Sequence, residues 1–384
     1  MRIDCVRGTP ELLALEPEWR SLLERSASNG LFLSWEWIST WWEVFGARFT
    51  PHVLVARDDD GSVCGIAPLM LGPGPGKARW LRHLMFIGQQ GDVTSEYLDF
   101  IVAAGREAEV APALVRRLLD DRWDAMLLQN VRADSVCYGA FEEELGGRGL
   151  WFDTWRKRPS PFTSLPRSWK ELYDGRSRNF RSRYQHSSNV LARSGPVETV
   201  VAGRDIPLDE ALDRLVELSR GRWGDAGQSF RTPAYVSFHR KLIARMHERD
   251  ALLFLFLRAN GRLVAARYDF VYAGKAWCYQ SGWLREFEKV SLGELALGKV
   301  LELAISRGCR EYDFLGGEAH YKRRWSTGHR TLLDVWAPRS GWARAWRWAK
   351  RTQSLIHRGG TTWPAWWAEA DWGVLSSLIA EIPL

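Results

Sequence analysis

The segment Ser291-Leu-Gly-Glu294 carries residue types that suit both the start of a helix and the binding of phosphate. Ser291 can cap a helix while Glu294 reaches back to it, which is the capping-box pattern. Apolar residues then recur at helical spacing and predict a helix over 291–307. Gly293 leaves the backbone of the first turn open to close approach. Because a helix N-terminus presents free N–H groups and partial positive charge, the sequence predicts a phosphate site here.

A second group of polar residues surrounds the end of the last predicted strand. Ligands of α/β folds bind beyond the carboxyl ends of strands, so we expect acid–base chemistry at this place. A carboxylate or an imidazole there could accept a proton, and a phenol could return one. The alternative is a set of solvated loop residues or, for Asp313, a strand residue that faces a helix cap. The candidates are Asp313, Glu318, His320, Tyr321 and Lys322.

The run Gly175–Val197 is strongly basic. It contains five arginines and no acidic residue. One interpretation is a groove for the phosphates of an acceptor or of tRNA. The other is an amphipathic helix with a solvated basic face, and the residues do not decide between the two.

The bulk composition indicates a folded protein of two domains. The chain has 384 residues, is 46% hydrophobic and 26% charged, and carries a net charge of +7. This charge favours an anionic partner, whether a phosphorylated cofactor, RNA, a lipid headgroup or an acidic polysaccharide. The longest apolar run, Ala251–Leu257, is far shorter than the roughly 20 residues of a membrane helix, and the N-terminus lacks an apolar signal core. We therefore expect a cytoplasmic protein.

Cysteine and histidine placement predicts neither disulfides nor a metal site. The five cysteines are scattered, with no Cys-x-x-Cys pair and no histidine at metal-ligand spacing. This usage is typical of reduced thiols in the cytosol.

The order of predicted elements is the same in two successive halves: helices, a hairpin with a glycine turn, another strand, a helix and a strand. The predicted elements include strands over 63–71 and 96–102 in the first half, and a helix over 233–248, a hairpin turn at Asn260-Gly261 and a strand over 262–272 in the second. It predicts an α/β (α+β) fold, with a mixed central sheet flanked by helices in each half. The predicted domains are 1–160, 161–338 and a helical tail, 339–384, that is rich in tryptophan and arginine. The tail either packs back on the core or contacts an anionic membrane through 340–372. In the first half the helix matching 291–307 begins with Glu107 and Glu109, which would repel phosphate.

Five segments form an ordered set across residues 10–337: Phe32-Leu-Ser-Trp-Glu-Trp37, Gly65-Ile-Ala-Pro-Leu69, Arg178-Asn-Phe-Arg-Ser-Arg183, Ser291-Leu-Gly293, and Tyr312-Asp-Phe-Leu-Gly-Gly317 with Tyr321-Lys322 and Trp325. Together they resemble the Fem-like branch of the GNAT acyltransferases, the N-acetyltransferases associated with cellulose biosynthesis. The resemblance implies two tandem GNAT folds, the second of which binds the donor. It also implies transfer of an acyl group, usually from acyl-CoA, to an amine. The related Fem enzymes instead take an amino acid from aminoacyl-tRNA.

With acyl-CoA as the donor, the predicted sites acquire roles. Ser291 and Gly293 would hold the pyrophosphate, helped by Arg285 or Lys289. Backbone N–H groups at Gln280–Trp283 would hold the amide arm and polarise the carbonyl. The strand residues assigned to the donor are Gln280, Ser281 and Gly282.

The polar cluster would then serve the acceptor. Glu318 or His320 would accept the amine proton, and Tyr321 would return one to the leaving thiolate. We expect the acceptor to be bound by Arg178, Arg181, Tyr268 and Lys322. The leading hypothesis is an acyl-CoA-dependent N-acyltransferase acting on an amino sugar, an amino acid or an envelope precursor. The alternatives are an aminoacyl-tRNA-dependent ligase and a non-catalytic accessory of an exopolysaccharide synthase.

Overall fold

The computed structural model describes residues 1–75, 79–93, 95–223, 230, 232–317, 319–341 and 343–344. The elements of its first half are β1 (Arg2–Val6), α1 (Thr9–Ala14), α2 (Glu16–Glu24), α3 (Trp35–Phe45), β2 (Thr50–Pro51), β3 (Val53–Arg57), β4 (Val63–Ala67), β5 (Leu69–Pro73), β6 (Arg82–Phe86), β7 (Ile101–Val102), α4 (Glu107–Leu119), β8 (Ala125–Arg132), α5 (Val136–Gly147) and β9 (Asp153–Ser164). Those of the second half are α6 (Trp169–Asp174), α7 (Arg178–Arg193), β10 (Val197–Val201), α8 (Leu208–Trp223), α9 (Pro233–Glu248), β11 (Leu252–Ala259), β12 (Arg262–Tyr272), β13 (Lys275–Trp283), α10 (Leu292–Ser306), β14 (Glu311–Asp313), α11 (His320–Trp325) and β15 (Gly328–Pro338). The helix and the membrane contact predicted for the tail fall mainly on residues from 345 onward, which lie outside the described part of the chain.

Two sheets organise the chain. An antiparallel four-stranded sheet, in the order β1-β3-β4-β7, belongs to the first half. An eleven-stranded mixed sheet runs through both halves in the order β10-β11-β12-β13-β14-β9-β15-β8-β6-β5-β2. Helices flank it, so the predicted α/β class with a mixed central sheet is confirmed.

The two halves are joined by shared strands. β9 pairs with β14 of the second half and with the final strand, β15. β15 pairs in turn with β8 of the first half. The predicted domain boundary at 160/161 falls inside β9. Because removing a central strand would expose two rows of backbone N–H and C=O groups, each half needs both shared strands to complete the sheet.

Local sequence signals explain most of the second half. Thr232 caps α9 by accepting a hydrogen bond from the N–H of Tyr235, and Pro233 occupies the first helical turn. Asn260 and Gly261 have φ of 47° and 76°, the left-handed pair that a type I′ hairpin turn requires. The predicted bounds of the helix 233–248 and the strand 262–272 are those observed.

The first half differs from the prediction at two strands. The strand expected over 63–71 is divided at Pro68 into β4 and β5, which belong to different sheets. Proline has no N–H to donate to a ladder, so a change of sheet there is physically reasonable. The strand expected over 96–102 is a loop except for Ile101–Val102, and Tyr97 has a φ of 56°.

The aromatic helix α3 packs the first half against the second. Its Ser34 cap accepts a hydrogen bond from the N–H of Trp37. The ring of Trp37 lies 5.2 Å from that of Phe238 on α9 and 5.4 Å from that of Tyr279 on β13. Across the described residues, the helices are all too short or too polar to cross a bilayer.

Candidate active site

The neighbouring strands β13 and β14 of the second half pair over three residues only. These parallel strands pair only where Lys275–Trp277 lies beside Glu311–Asp313. Beyond that point β14 ends, while β13 continues to Trp283 alongside β12. Beyond Trp277, β13 therefore has no strand partner on the side of β14 among the described residues, and we call this unpaired edge of β13, residues 278–283, the cleft.

A β-bulge shapes β13 where the cleft begins. Tyr268 pairs with Gln280 and Asp269 pairs with Cys278, so Tyr279 is the extra residue. Its N–H donates to Oδ1 of Asp269 at 3.0 Å. Bulges of this kind are over-represented next to active sites, where they change the direction of a strand.

A buried ion pair supports the bulge from below. Arg267 and Asp269 are 2% and 0% exposed, and their charged groups lie 2.8 Å apart. The Tyr312 hydroxyl donates to Asp269 at 2.6 Å. Since each charge has hydrogen-bond partners, this network provides a rigid base for the cleft.

The loop after β14 is held by side chains that the sequence analysis assigned to chemistry. Leu315 has a φ of 59°, and its N–H donates to Asp313 at 2.8 Å. Nζ of Lys322 donates to the carbonyl oxygens of Leu315 and Gly316 at 3.0 and 2.8 Å. Burial lowers the pKa of Lys322. Lys322 therefore fixes the loop, whereas the sequence suggested a contact with the acceptor.

Asp313 is the predicted catalytic residue that lies in the centre of the molecule. It is 1% exposed, accepts a hydrogen bond from the Tyr97 hydroxyl at 2.9 Å and lies 3.1 Å from Nη1 of Arg330. Burial raises its pKa to about 7, because the loss of water outweighs the hydrogen bonds and the nearby guanidinium. Both protonation states are populated near neutral pH, as proton transfer requires.

The first half contributes two residues that the sequence analysis missed. Glu96 is 3% exposed and accepts a hydrogen bond from the N–H of Gly316 at 2.7 Å. Its second oxygen lies 3.1 Å from Arg158, and burial raises the pKa of Glu96. Tyr97, beside it, reaches Asp313. The available signal was a pair of acidic residues, Glu96 and Asp99, inside the segment 96–102 that the sequence predicts to be a strand.

A cavity of about 150 Å³ lies between the halves, on the side of the sheet that carries Lys275 and Trp277. Tyr97, Asp313 and Arg330 contribute to its wall. Asn29 also lines it, and within the described part of the chain the buried Oδ1 of Asn29 has no hydrogen-bond partner. The wall of the cavity thus contains three carboxylates, three cationic groups and an amide oxygen: Asp99, Asp134, Asp313, Arg132, Lys275, Arg330 and Asn29.

The start of α10 differs from the predicted capping box. Ser291 adopts the left-handed conformation, with φ 53° and ψ 42°, and its side chain makes no capping hydrogen bond. Glu294 pairs with Arg324 of α11 instead. The capping prediction was wrong because a capping residue needs extended backbone angles.

Arg324 and Trp283 both bear on the predicted phosphate site. Arg324 brings a guanidinium to the first turn of α10, and its buried Nε has no partner among the described residues. A Cβ added at Gly293 would lie 2.7 Å from the ring of Trp283, so this ring rests against the helix start. A phosphate could reach the Gly293 backbone only after Trp283 rotates away.

The other residues assigned to the donor lie on β13 and on the turn that follows it. Gln280 donates to the Tyr235 hydroxyl at 2.8 Å, and a Cβ at Gly282 would lie 2.6 Å from the backbone nitrogen of Ser219 on α8. Ser281 lies opposite Arg267 on β12. Arg285 and Lys289 belong to a short 3-10 turn, Arg285–Val290, and the Lys289 side chain lies outside the described part.

The remaining residues assigned to the acceptor or to proton transfer are dispersed. Arg178 is exposed at the start of α7, and Arg181 lies 3.8 Å from Asp174. Tyr268 is fully buried, with its hydroxyl 3.2 Å from Nδ1 of His239, and so does not line the cleft. His320 is exposed and Tyr321 is half-buried at the start of α11. Glu318 lies outside the described residues.

Comparisons with known proteins bear on the fold of the chain and on the class of reaction. Residues 178–323 match the family model described as "Acetyltransferase (GNAT) domain". This region is therefore similar to a GNAT domain. The match supports acyl transfer as its class of reaction.

Solved structures show a similar fold over most of the chain. A crystal structure of FemX aligns with a TM-score of 0.61 and 13% identity, covering 87% of this chain and 97% of that one. A conserved protein of unknown function from Bacteroides thetaiotaomicron gives 0.54 and 12%, covering 88% and 100%. L-PGS from Bacillus licheniformis gives 0.50 and 10%, covering 89% and 96%. Such identities show the fold alone. The search of curated proteins found no match.

Proposed function

We propose that the protein is an acyl-CoA-dependent N-acyltransferase of the Fem-like type. It would move an acyl group, most simply acetyl, to the amine of an amino sugar, an amino acid or an envelope precursor. The observation that carries this proposal is the cleft between β13 and β14, which brings the bulged strand beside a buried carboxyl group, Asp313, that titrates near neutral pH.

The start of α10 is the proposed site for the diphosphate of the donor. Arg324 supplies a guanidinium there, and its unpartnered Nε remains available for a charge-assisted hydrogen bond. Gly293 lets the diphosphate approach the backbone once Trp283 has rotated. These residues fit a nucleotide diphosphate, with Trp283 as the group that must move.

Asp313 is the proposed proton acceptor. The neutral amine attacks the thioester carbonyl, so a C–N bond forms, the C–S bond breaks and the thiolate of CoA leaves. Asp313 takes the proton that the amine loses, directly or through a water molecule. Tyr97 and Arg330 keep the carboxylate in place through their contacts with its oxygens.

The cavity between the halves is the proposed acceptor site. Lys275 and Arg330 would bind an anionic or hydroxylated part of the acceptor, and the Asn29 Oδ1 would accept a hydrogen bond from it. A ligand with several hydroxyl groups and one amine, such as an amino sugar, has the matching groups.

One observation favours the aminoacyl-tRNA alternative. α7 presents Arg178 and Arg183 to solvent, and exposed arginines along one helix can bind phosphates. Thermal shift assays with acetyl-CoA, longer acyl-CoAs and bulk tRNA separate the hypotheses. A shift with CoA species alone supports the proposal, whereas a shift with tRNA alone overturns it. No thermal shift with any of these ligands, together with binding to liposomes, would favour a non-catalytic accessory of an exopolysaccharide synthase.

Two matched pairs of variants test the donor site. Arg324→Gln should weaken acetyl-CoA binding by about tenfold, or ~1.4 kcal/mol, whereas Arg323→Gln alters an exposed neighbour on the same helix and should have little effect. Gly293→Ala should also weaken binding because its methyl group occupies the space through which the diphosphate approaches the backbone, whereas Gly139→Ala meets nothing within 4 Å. Isothermal titration calorimetry measures both effects. Equal affinities within each pair would place the donor elsewhere.

A further inference from the structure

A cluster of three side chains in the first half combines a thiol, an imidazole and a carboxylate. Sγ of Cys5 on β1 lies 3.8 Å from Nδ1 of His52, which lies between β2 and β3. The other ring nitrogen of His52, Nε2, lies 2.9 Å from Oδ2 of Asp121, just after α4. The His52 ring, 1% exposed, is thus held between the thiol and the carboxylate.

This order of groups is that of an activated nucleophile, in which a base contacts the nucleophile and a third group orients the base. Burial lowers the pKa of His52, so its imidazole is neutral near pH 7 and can accept a proton. Asp121 stabilises the imidazolium that forms. The nearby thiol group of Cys5 raises the pKa of Arg7, which lies two residues further along the chain.

The same atoms fit a metal ion less well. One ligand atom from each of Cys5, His52 and Asp121 lies within 4.8 Å of the others. However, Cys5 and Asp121 contact opposite nitrogens of the His52 ring, so an ion bound at one nitrogen could take the partner of the other nitrogen as a ligand only after that side chain moved. Arg7 and Arg117 also lie 3.3 and 3.0 Å from Asp121, and two guanidinium groups oppose the binding of a cation.

We propose that Cys5 is a nucleophilic thiol of this protein and the site of reversible modification by small-molecule disulfides. The Cys5 sulfur attacks one sulfur of the disulfide, so a new S–S bond forms and the old one breaks. His52 takes the thiol proton and passes it to the departing thiolate, which leaves as a thiol. Cys5 is half-exposed, whereas the other four cysteines are buried, so the reaction is confined to one position.

The test uses the purified full chain and glutathione disulfide, with intact-mass and peptide mass spectrometry. We expect one added glutathione, located at Cys5 and released by dithiothreitol. His52→Gln and Asp121→Asn should each slow the reaction by at least about tenfold, which is less than a positioned base can supply. Because both positions are buried, their thermal unfolding midpoints are measured as well.

Exposed arginines give a test that does not depend on those buried positions. Arg7→Gln should slow the reaction of Cys5 severalfold. Arg2→Gln, which alters a 75% exposed side chain on the strand that carries Cys5, should leave the rate unchanged. Equal rates for these two variants and the wild type would overturn the proposal. So would modification spread over the buried cysteines, or a stoichiometric zinc ion whose removal by a chelator is needed before Cys5 reacts.

Discussion

The buried carboxyl group of Asp313 should make the protein less stable as pH rises, which is the reverse of the usual effect of an aspartate. Its pKa is raised from 3.8 to about 7 in the folded chain. The folded state therefore holds a proton that the unfolded state has already lost. Stability from this proton is fully present below about pH 4 and disappears as pH rises through about 7.

The size of the effect follows from linkage. Each pKa unit corresponds to about 1.36 kcal/mol, so the full contribution is about 4 kcal/mol. Between about pH 5 and pH 8 the loss is roughly 2.5 kcal/mol of unfolding free energy. The amide of Asp313→Asn does not titrate, so this variant lacks the pH-dependent contribution of Asp313 to the unfolding free energy.

Urea unfolding followed by tryptophan fluorescence gives the unfolding free energies of the wild type and of Asp313→Asn at each pH. The wild-type value minus the Asp313→Asn value should fall by roughly 2.5 kcal/mol between about pH 5 and pH 8. Asp250→Asn is the control, because that side chain is 94% exposed and pairs with Arg307. The wild-type unfolding free energy minus the Asp250→Asn value should change by less than about 0.5 kcal/mol over the same pH range. A difference for Asp313→Asn that stays constant or rises with pH would refute the argument that burial dominates this site.

Two further variants test the surroundings of the cleft. Tyr97→Phe removes a hydrogen bond that favours the ionised form of Asp313 and is worth about 1.5 kcal/mol. The acidic midpoint of the pH–rate profile should therefore rise by about one pH unit. An unchanged midpoint would show that another group limits the rate at low pH. Arg267→Met leaves the charge of Asp269 without its buried cation and should cost about 3–5 kcal/mol in urea unfolding. A cost below about 1 kcal/mol would mean that the Tyr312 and backbone donors suffice.

The sequence predicted the parts of the fold that depend on local signals. Helix 233–248 has a cap, a proline in its first turn and regular apolar spacing, and it was found with its exact bounds. The type I′ turn at Asn260-Gly261 was equally visible. β9 and β15 were missed, since each lies between strands from distant parts of the chain and neither alternates cleanly in polarity. Long-range pairing of that kind leaves little local trace.

The roles predicted for the site residues remain predictions, but the structure shows which of these side chains lie together and why the sequence did not reveal the others. Asp313 was identified because a polar residue at a strand end is a common functional signal. Glu96 was missed because an acidic residue of a strand can face solvent, and its contact with Gly316 spans 220 residues. Trp283 was missed as an obstacle at Gly293 because no sequence pattern shows which way a ring points.

The contacts of Glu96 and Tyr97 explain why a site on the second half depends on the first. Glu96 holds the N–H of Gly316, and Tyr97 holds the carboxylate of Asp313, so the loop after β14 is fixed from across the junction. The same junction contains the shared strand β9, which pairs directly with β14. A change in the packing of the halves would therefore move Gly316 and Asp313 together. Positioning of reacting groups is sensitive to shifts of about 1 Å, so the first half contributes to the proposed chemistry even though the family match covers only the second.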